Sequence, residues 1–275
     1  MNIHEQTLSR NAWNAIAVGY DEFVTPTHMW LANQGLRRVG LKPGMRFLDV
    51  AAGSGALSIP AARSGAQVLS VDISPVMVEQ LTARARKEGL GLEARVMDGH
   101  ALELEDNTFD ICGSQYGVML FPDLPRGLSE MVRVTKPGGK VLLHAYGPPQ
   151  EIEFLGFFMA AMQAAVPDFS GLPTDPVPLP FQVADPEKLR RELIGAGLKE
   201  VKVETVTEEL KFGTGKEMWD WVVNSNPIPR MIIADLTPEQ EGVVQRSLDD
   251  RLRERSGGSG SAVLTNPVHI GTGTK

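Results

Sequence analysis

A chain of 275 residues, 42% hydrophobic and 22% charged, is long and apolar enough to bury a sizeable core, as one elaborated domain or a domain with a cap. Its net charge of −7 opposes a nucleic-acid partner, since the only dense basic cluster, Arg251-Leu-Arg253-Glu-Arg255, is interleaved with acids and reads as a solvated helix face. A lone cysteine, Cys112, excludes an intramolecular disulfide and a cysteine-based zinc site, and no start segment or apolar run suits secretion or a membrane span, so a cytoplasmic location is expected.

Residues 5–38 carry helical patterns, with Trp13, Ile16, Tyr20, Phe23, Trp30, Leu31 and Leu36 on apolar faces. Pro43-Gly44 breaks the chain before a first strand over 45–50. Helix 56–64, strand 67–72, helix 75–88, strand 92–97 and strand 109–114 follow. Helix 124–134 stops before Lys136-Pro-Gly-Gly, and strand 140–146 comes next. Such alternation predicts a parallel sheet with helices on both faces and right-handed crossovers.

The pattern then loosens. An apolar helix over 151–166 leads into a proline-rich connection over 167–186, helix 186–196 and an alternating strand over 199–206. Two or three helices occupy 215–254, broken at Asn226-Pro-Ile-Pro229, and the flexible turn Ser256–Ser261 precedes a last strand near 262–270. The chain divides into an N-terminal helical lid over 1–40 and a cofactor-binding core over 41–150. Cap insertions over 151–185 and 211–258 alternate with the remaining core segments, 186–210 and 259–275.

A doubly wound sheet binds its ligand at the carboxyl ends of its strands. Strand 45–50 ends in Asp49 and a turn with Gly53 and Gly55, suited to close backbone approach and to the positive opening of a helix. The next strand ends in Asp72, placed to accept from ribose hydroxyls, and the third is followed by Asp98-Gly-His100, whose acid suits an adenine amine. Ser114-Gln115-Tyr116 and His144-Ala-Tyr146 end the two strands after that. A nicotinamide or flavin site wants a third glycine where Ser58 stands, and Asp49 opposes a pyrophosphate but suits a cationic amino-acid end. Adenosine with such a tail is S-adenosylmethionine.

These residues resemble the class I S-adenosylmethionine-dependent methyltransferases, and are similar to the ubiquinone/menaquinone C-methyltransferases among them. The resemblance is carried by Phe47-Leu-Asp-Val-Ala-Ala-Gly-Ser-Gly55, Ser70-Val-Asp-Ile-Ser-Pro-Val-Met77, Met97-Asp98-Gly-His100, Asn107-Thr-Phe-Asp110 and Lys136-Pro-Gly-Gly-Lys-Val141, in order over about residues 12–147. Ala51 stands where that family usually has glycine. The fold expected is α/β: a Rossmann-like, doubly wound, seven-stranded sheet, mostly parallel with an antiparallel last strand, plus a helical cap. The resemblance implies that Asp49, Ala51, Gly53 and Gly55 surround the methionine part of S-adenosyl-L-methionine and that Asp72 holds the ribose. It sets Ile73 and Met77 near the adenine, Asp98, Gly99 and His100 at its amine, Gln115 near the sulfonium, and Tyr20 among the cofactor residues.

A small-molecule methyl acceptor is the expected partner, hydrophobic or aromatic, with oxygen ahead of carbon as the methylated atom. A nucleophile that loses a proton wants a base, and His144 and His100 are the candidates, with His28 and Tyr146 behind them. The acceptor pocket is drawn from His28, Tyr146, Phe158, Met162 and Trp219, on segments that would cover the strand ends. No trio of acids and histidines has metal-ligand spacing, so no metal is expected, nor any nucleic acid or membrane span, while a homo-oligomer is compatible with the chain. The alternative is a non-catalytic protein that binds the adenosyl cofactor or a nucleotide.

Overall fold

The computed structural model describes residues 3–173, 175–258 and 260–275, with the side chains of residues 3–6 left aside. Helix α1 (Ile3–Gly19) passes through a π-helical turn, Tyr20–Val24, into α2 (Thr25–Arg38). The core follows as β1 (Arg46–Val50), α3 (Ser58–Arg63), β2 (Gln67–Asp72), α4 (Pro75–Lys87), β3 (Leu92–Val96), β4 (Phe109–Gln115), α5 (Leu124–Val134) and β5 (Thr135–Tyr146). Then come α6 (Glu153–Ala165), α7 (Pro186–Gly195), β6 (Lys199–Phe212), α8 (Gly215–Ser225), α9 (Pro227–Ile232), α10 (Pro238–Arg255) and β7 (Ala262–Thr274).

The seven strands form one sheet in the order β3-β2-β1-β4-β5-β7-β6. β1 pairs in parallel with β2 on one side and β4 on the other, while β7 runs antiparallel between β5 and β6. This is the doubly wound Rossmann-like sheet with one antiparallel strand. Near-continuous burial along β1, β2 and β4 follows from helices covering both faces. The order reverses between β1 and β4, which opens a crevice at their carboxyl ends.

Local chemistry sets the helix starts. Ser74, Asp123, Asp185, Thr214 and Thr237 each cap a helix by accepting from a backbone amide, and Thr237 forms a reciprocal box with Gln240. Three strands outrun their sequence expectations, β7 by running on past 270 to Thr274 beside β5. β5 begins at Thr135, its pairing with β4 jumping from Phe109↔Thr135 to Ile111↔Lys140, so Lys136–Gly139 is an irregularity inside the ladder and not a stop before it. β6 does not end at 206: it continues with β7 in an unbroken ladder from Val206↔Val268 to Phe212↔Ala262, each strand extending the other. Ser259, inside the expected Ser256–Ser261 turn, and Met1-Asn2 lie outside the described residues.

Two large apolar clusters result, beside a small one of Ile16, Ala17 and Met77. One spans the sheet, with Phe47, Leu48, Ile111, Leu128 and Leu142 at its centre. The other joins the cap to the far end of β6 and β7 through Phe158, Met162, Leu210, Trp219, Trp221 and Leu264. Polar contacts anchor the N-terminal helices: the Thr25 and Ser54 hydroxyls meet at 2.5 Å, Ser74 donates to Asn14 Oδ1 at 2.6 Å, and Arg84 pairs with Asp21 at 2.7 Å.

Candidate active site

A cavity with an empty volume of about 860 Å³ lies at the carboxyl ends of β1, β2 and β4. Asp49, Ala51, Gly53, Asp72, Ile73, Met77, Asp98, Gly99, His100, Gln115 and Tyr20 all line it. A second cavity, about 760 Å³, lies between α2, the end of β5, α6 and the α8–α9 corner. His28, Tyr146 and Phe158 line that one. Trp13, Tyr20, Tyr116 and Leu120 line both, so the two spaces adjoin along those residues. Among the described residues, no acid, lysine or arginine lines the second cavity.

The first cavity is acidic by construction. Ser58 donates to Asp49 Oδ2 at 2.5 Å, and Oδ1 is buried with no partner. Burial pushes the Asp49 carboxyl up to about 7; the Ser58 bond pulls it back, and nearby Asp72 raises it further. Asp72 accepts from the Gly53 amide at 2.8 Å and the Ser74 amide at 2.9 Å, and burial raises its carboxyl too. This acid braces the glycine turn while each oxygen keeps a lone pair for a ligand. Asp98 Oδ1 accepts from the His100 amide at 2.9 Å and lies 2.8 Å from His100 Nδ1. The His100 ring stacks on Phe121 with centroids 4.2 Å apart, its Nε2 buried and unpartnered.

The turn between β1 and α3 takes left-handed backbone at Ala51 (φ 54°), Gly53 (φ 54°) and Gly55 (φ 103°). An alanine there costs roughly 1–2 kcal/mol relative to right-handed backbone. Its methyl occupies the space beside Gly117, where an added Cβ would meet Ala51 Cβ at 2.6 Å.

Four expected site residues line neither cavity. Gly55 faces inward, where a Cβ would meet Ile59 and Leu81 at 3.1 Å, so its part is the turn itself. Met162 and Trp219 belong to the cap core behind the cavity wall. His144 is fully buried: its Nδ1 sits 2.9 Å from Gln115 Oε1, and its Nε2 points at α2, where a Cβ on Gly35 would collide with it. Burial, with the Arg38 charge behind it, lowers the His144 ring to about 3. His100 lines the first cavity only, so neither of the two leading base candidates borders the second; His28 and Tyr146, ranked behind them, do.

Sequence reasoning missed Trp13, Tyr116, Phe121 and Glu208. Tyr116 follows the Gln115 already singled out, with left-handed backbone (φ 57°), its ring stacked on Tyr146 at 4.4 Å and its hydroxyl donating to Glu208 Oε1 at 3.2 Å. Glu208 is detectable once β6 is extended, because Val206, Glu208, Leu210 and Phe212 share one phase of the alternation. An acid in an apolar phase was the available signal.

Among the described residues no group of three histidine, cysteine, aspartate or glutamate side chains is placed to hold a metal ion, and no helix is long and apolar enough to cross a membrane.

A methyltransferase-domain family matches residues 48–143. A Mycobacterium tuberculosis protein described only as uncharacterized is 45% identical over 102 residues, 37% of each chain, so the match spans little more than a third of that relative. A demethylmenaquinone methyltransferase of Corynebacterium urealyticum is 34% identical over 178 residues, 62% of this chain and 75% of that one. Among solved structures, the YcgJ protein of Bacillus subtilis shares the fold, with a TM-score of 0.56 at 15% identity over 89% of this chain and 97% of that one.

Proposed function

The chain belongs to the class I S-adenosylmethionine-dependent methyltransferases, and on that footing we propose that it moves a methyl group to a small hydrophobic or aromatic acceptor, to oxygen before carbon. One observation carries the reading: an acid-lined cavity at the sheet's switch point adjoins an uncharged aromatic cavity along Trp13, Tyr20, Tyr116 and Leu120.

The first cavity fits the cofactor. Asp49 Oδ1, a buried acceptor without a donor, suits an ammonium group, which also relieves the cost of a desolvated carboxylate. Asp72 suits the ribose hydroxyls, Asp98 the adenine amine, and Ile73 and Met77 the adenine faces. When bound, S-adenosylmethionine supplies a methyl group on a sulfonium, whose S–C electron pair stays on the departing neutral thioether. The protein's own part is alignment and exclusion of water. Tyr20 and Tyr116, on the shared border, set the approach of the acceptor, and Tyr146 and Phe158 offer it flat apolar faces.

The test is release of S-adenosylhomocysteine with a panel of phenols, quinones and aromatic acids, beside calorimetric binding of S-adenosylmethionine. Binding and turnover with at least one hydroxyl-bearing aromatic are expected. Binding without turnover on any acceptor overturns the reading in favour of a binding protein.

A further inference from the structure

Asp49, Asp72 and Glu208 are the buried acids among the described residues, and no buried lysine or arginine accompanies them. Asp49 and Asp72 line the first cavity, whereas Glu208 lines neither cavity. It sits on β6, opposite Asn266 of β7, with 1% of its surface exposed. The Tyr116 hydroxyl holds its Oε1, His28 Nε2 lies 3.9 Å from that same oxygen, and Oε2 has no partner. Neither ring nitrogen of His28 has a partner, although the side chain is buried and lines the acceptor cavity. The imidazole rests against Tyr116, centroids 4.8 Å apart, and edge-on to Trp221 at 5.9 Å. Gln115 Nε2 donates to the His28 carbonyl at 2.9 Å, which ties this turn of α2 to the end of β4.

A buried carboxylate beside a buried imidazole, with three of their four polar atoms unpaired, is expensive to maintain and belongs where chemistry uses it. The aromatic residue that borders both, Tyr116, is itself in left-handed backbone (φ 57°), a strained state typical of functional positions.

We propose that His28 takes the proton of a hydroxyl-bearing aromatic acceptor in the second cavity, and that Glu208 is a positioning residue that stabilises the resulting imidazolium. The inference deepens the methyltransferase reading and rests on it. The acceptor O–H bond breaks, the proton goes to a ring nitrogen of His28, and the electron pair left on oxygen forms the bond to the methyl carbon. The imidazolium, opposite the Glu208 carboxylate, later returns its proton to water. A phenol-class hydroxyl is favoured over a carbon acceptor because its proton leaves under a base of modest strength.

Electrostatics agree with the geometry. Burial lowers His28 to about 3 in the ligand-free protein, so the ring is neutral there. A phenolate formed beside it, with the Glu208 carboxylate 3.9 Å away, favours the imidazolium and opposes that shift. Burial raises Glu208 to about 7, with the Tyr116 hydroxyl and then the Asn266 amide across the ladder pulling it down. The other titratable groups around the pair are the Tyr20 and Tyr146 phenols, both held protonated by burial, and His144 on β5, which feels His28 and Arg38. Glu208 therefore ionises, and begins to support the imidazolium, as pH rises through about 7.

The probe is a chromogenic nitrophenol titrated into protein saturated with S-adenosylhomocysteine near neutral pH. The visible band of the ionised phenol reports where the proton sits, independently of turnover. Expected is a larger ionised fraction bound than free, lost in His28→Phe and reduced in the isosteric Glu208→Gln. With an accepted phenol, kcat should rise with pH through about 7 in the wild type, lose that limb in Glu208→Gln, and fall at least about 100-fold in His28→Phe. Thermal melting and S-adenosylhomocysteine affinity, both unchanged, certify each variant. Equal ionisation of the probe in wild type and variants, or no probe binding, overturns the inference. The methyltransferase reading is judged separately, by cofactor binding and methyl transfer to any acceptor.

Discussion

His144 Nδ1 lies 2.9 Å from Gln115 Oε1, while Nε2 of the same amide donates to the His28 carbonyl at 2.9 Å. With the amide orientation set by its donor side, the His144 ring carries its proton on Nδ1, leaving Nε2 bare beneath α2. The histidine at the end of β5 thus holds the glutamine of β4, and through it the turn that carries His28.

His144→Ala removes that partner and opens a void under Gly35. Stability should fall by about 2–4 kcal/mol, the sum of an unsatisfied buried amide oxygen and a cavity, as read from the urea midpoint. Folded protein should still bind S-adenosylhomocysteine. An inactive variant of unchanged stability would return His144 to the chemistry.

Asp72→Ala takes away the acceptor of the Gly53 and Ser74 amides as well as one lining acid of the first cavity. Cofactor affinity should drop by about 1–3 kcal/mol by calorimetry, as expected for a lost charged acceptor. An unchanged dissociation constant in a folded variant removes Asp72 from the site.

Asp49 should make the ligand-free protein and its complex respond oppositely to pH. Burial raises the carboxyl from 3.8 to about 7, so between those values the folded protein keeps a proton that the unfolded chain has released. The associated stability is fully present below about 3.8 and is lost as pH rises through about 7. A bound ammonium favours the ionised form, so S-adenosylhomocysteine binding should release a proton and tighten as pH rises through about 7. Calorimetry in two buffers of different ionisation enthalpy measures that proton. Asp49→Asn should abolish the effect; proton release that survives it assigns the titration elsewhere.

Ligand binding should alter tryptophan fluorescence through Trp13, which lines both cavities. Trp219 and Trp221 are buried in the cap core, the latter donating to Thr27 at 3.1 Å, and Trp30 is 49% exposed on α2. These three should stay silent. The change on adding S-adenosylhomocysteine should vanish in Trp13→Phe, and its persistence there would mean that the cap core itself moves.

The strands and helices of the doubly wound half were legible because β1, β2 and β4 are buried on both faces and read as apolar runs, and because Ser74 and Asp123 announce the helices that follow. The acids at strand ends were legible for a topological reason: position along a parallel strand fixes which end of the sheet a residue occupies. The surroundings of the second cavity were not. β6 carries exposed Glu209 and Lys211 between its inward residues, which hides its length and with it Glu208. His144 and His28 are both lone histidines in apolar runs. Only the packing of α2 across β5 decides which borders a cavity and which is sealed behind Gly35.

The protein has three tyrosines, Tyr20, Tyr116 and Tyr146, and every one of them borders the cavities. A label carried on tyrosine therefore lands nowhere else in the molecule. Biosynthetic fluorotyrosine would give a fluorine spectrum of three resonances: two from the boundary between the cavities and one, Tyr146, from the second cavity alone. Cofactor and acceptor could then be titrated separately and told apart by which signals move, with the rest of the chain invisible.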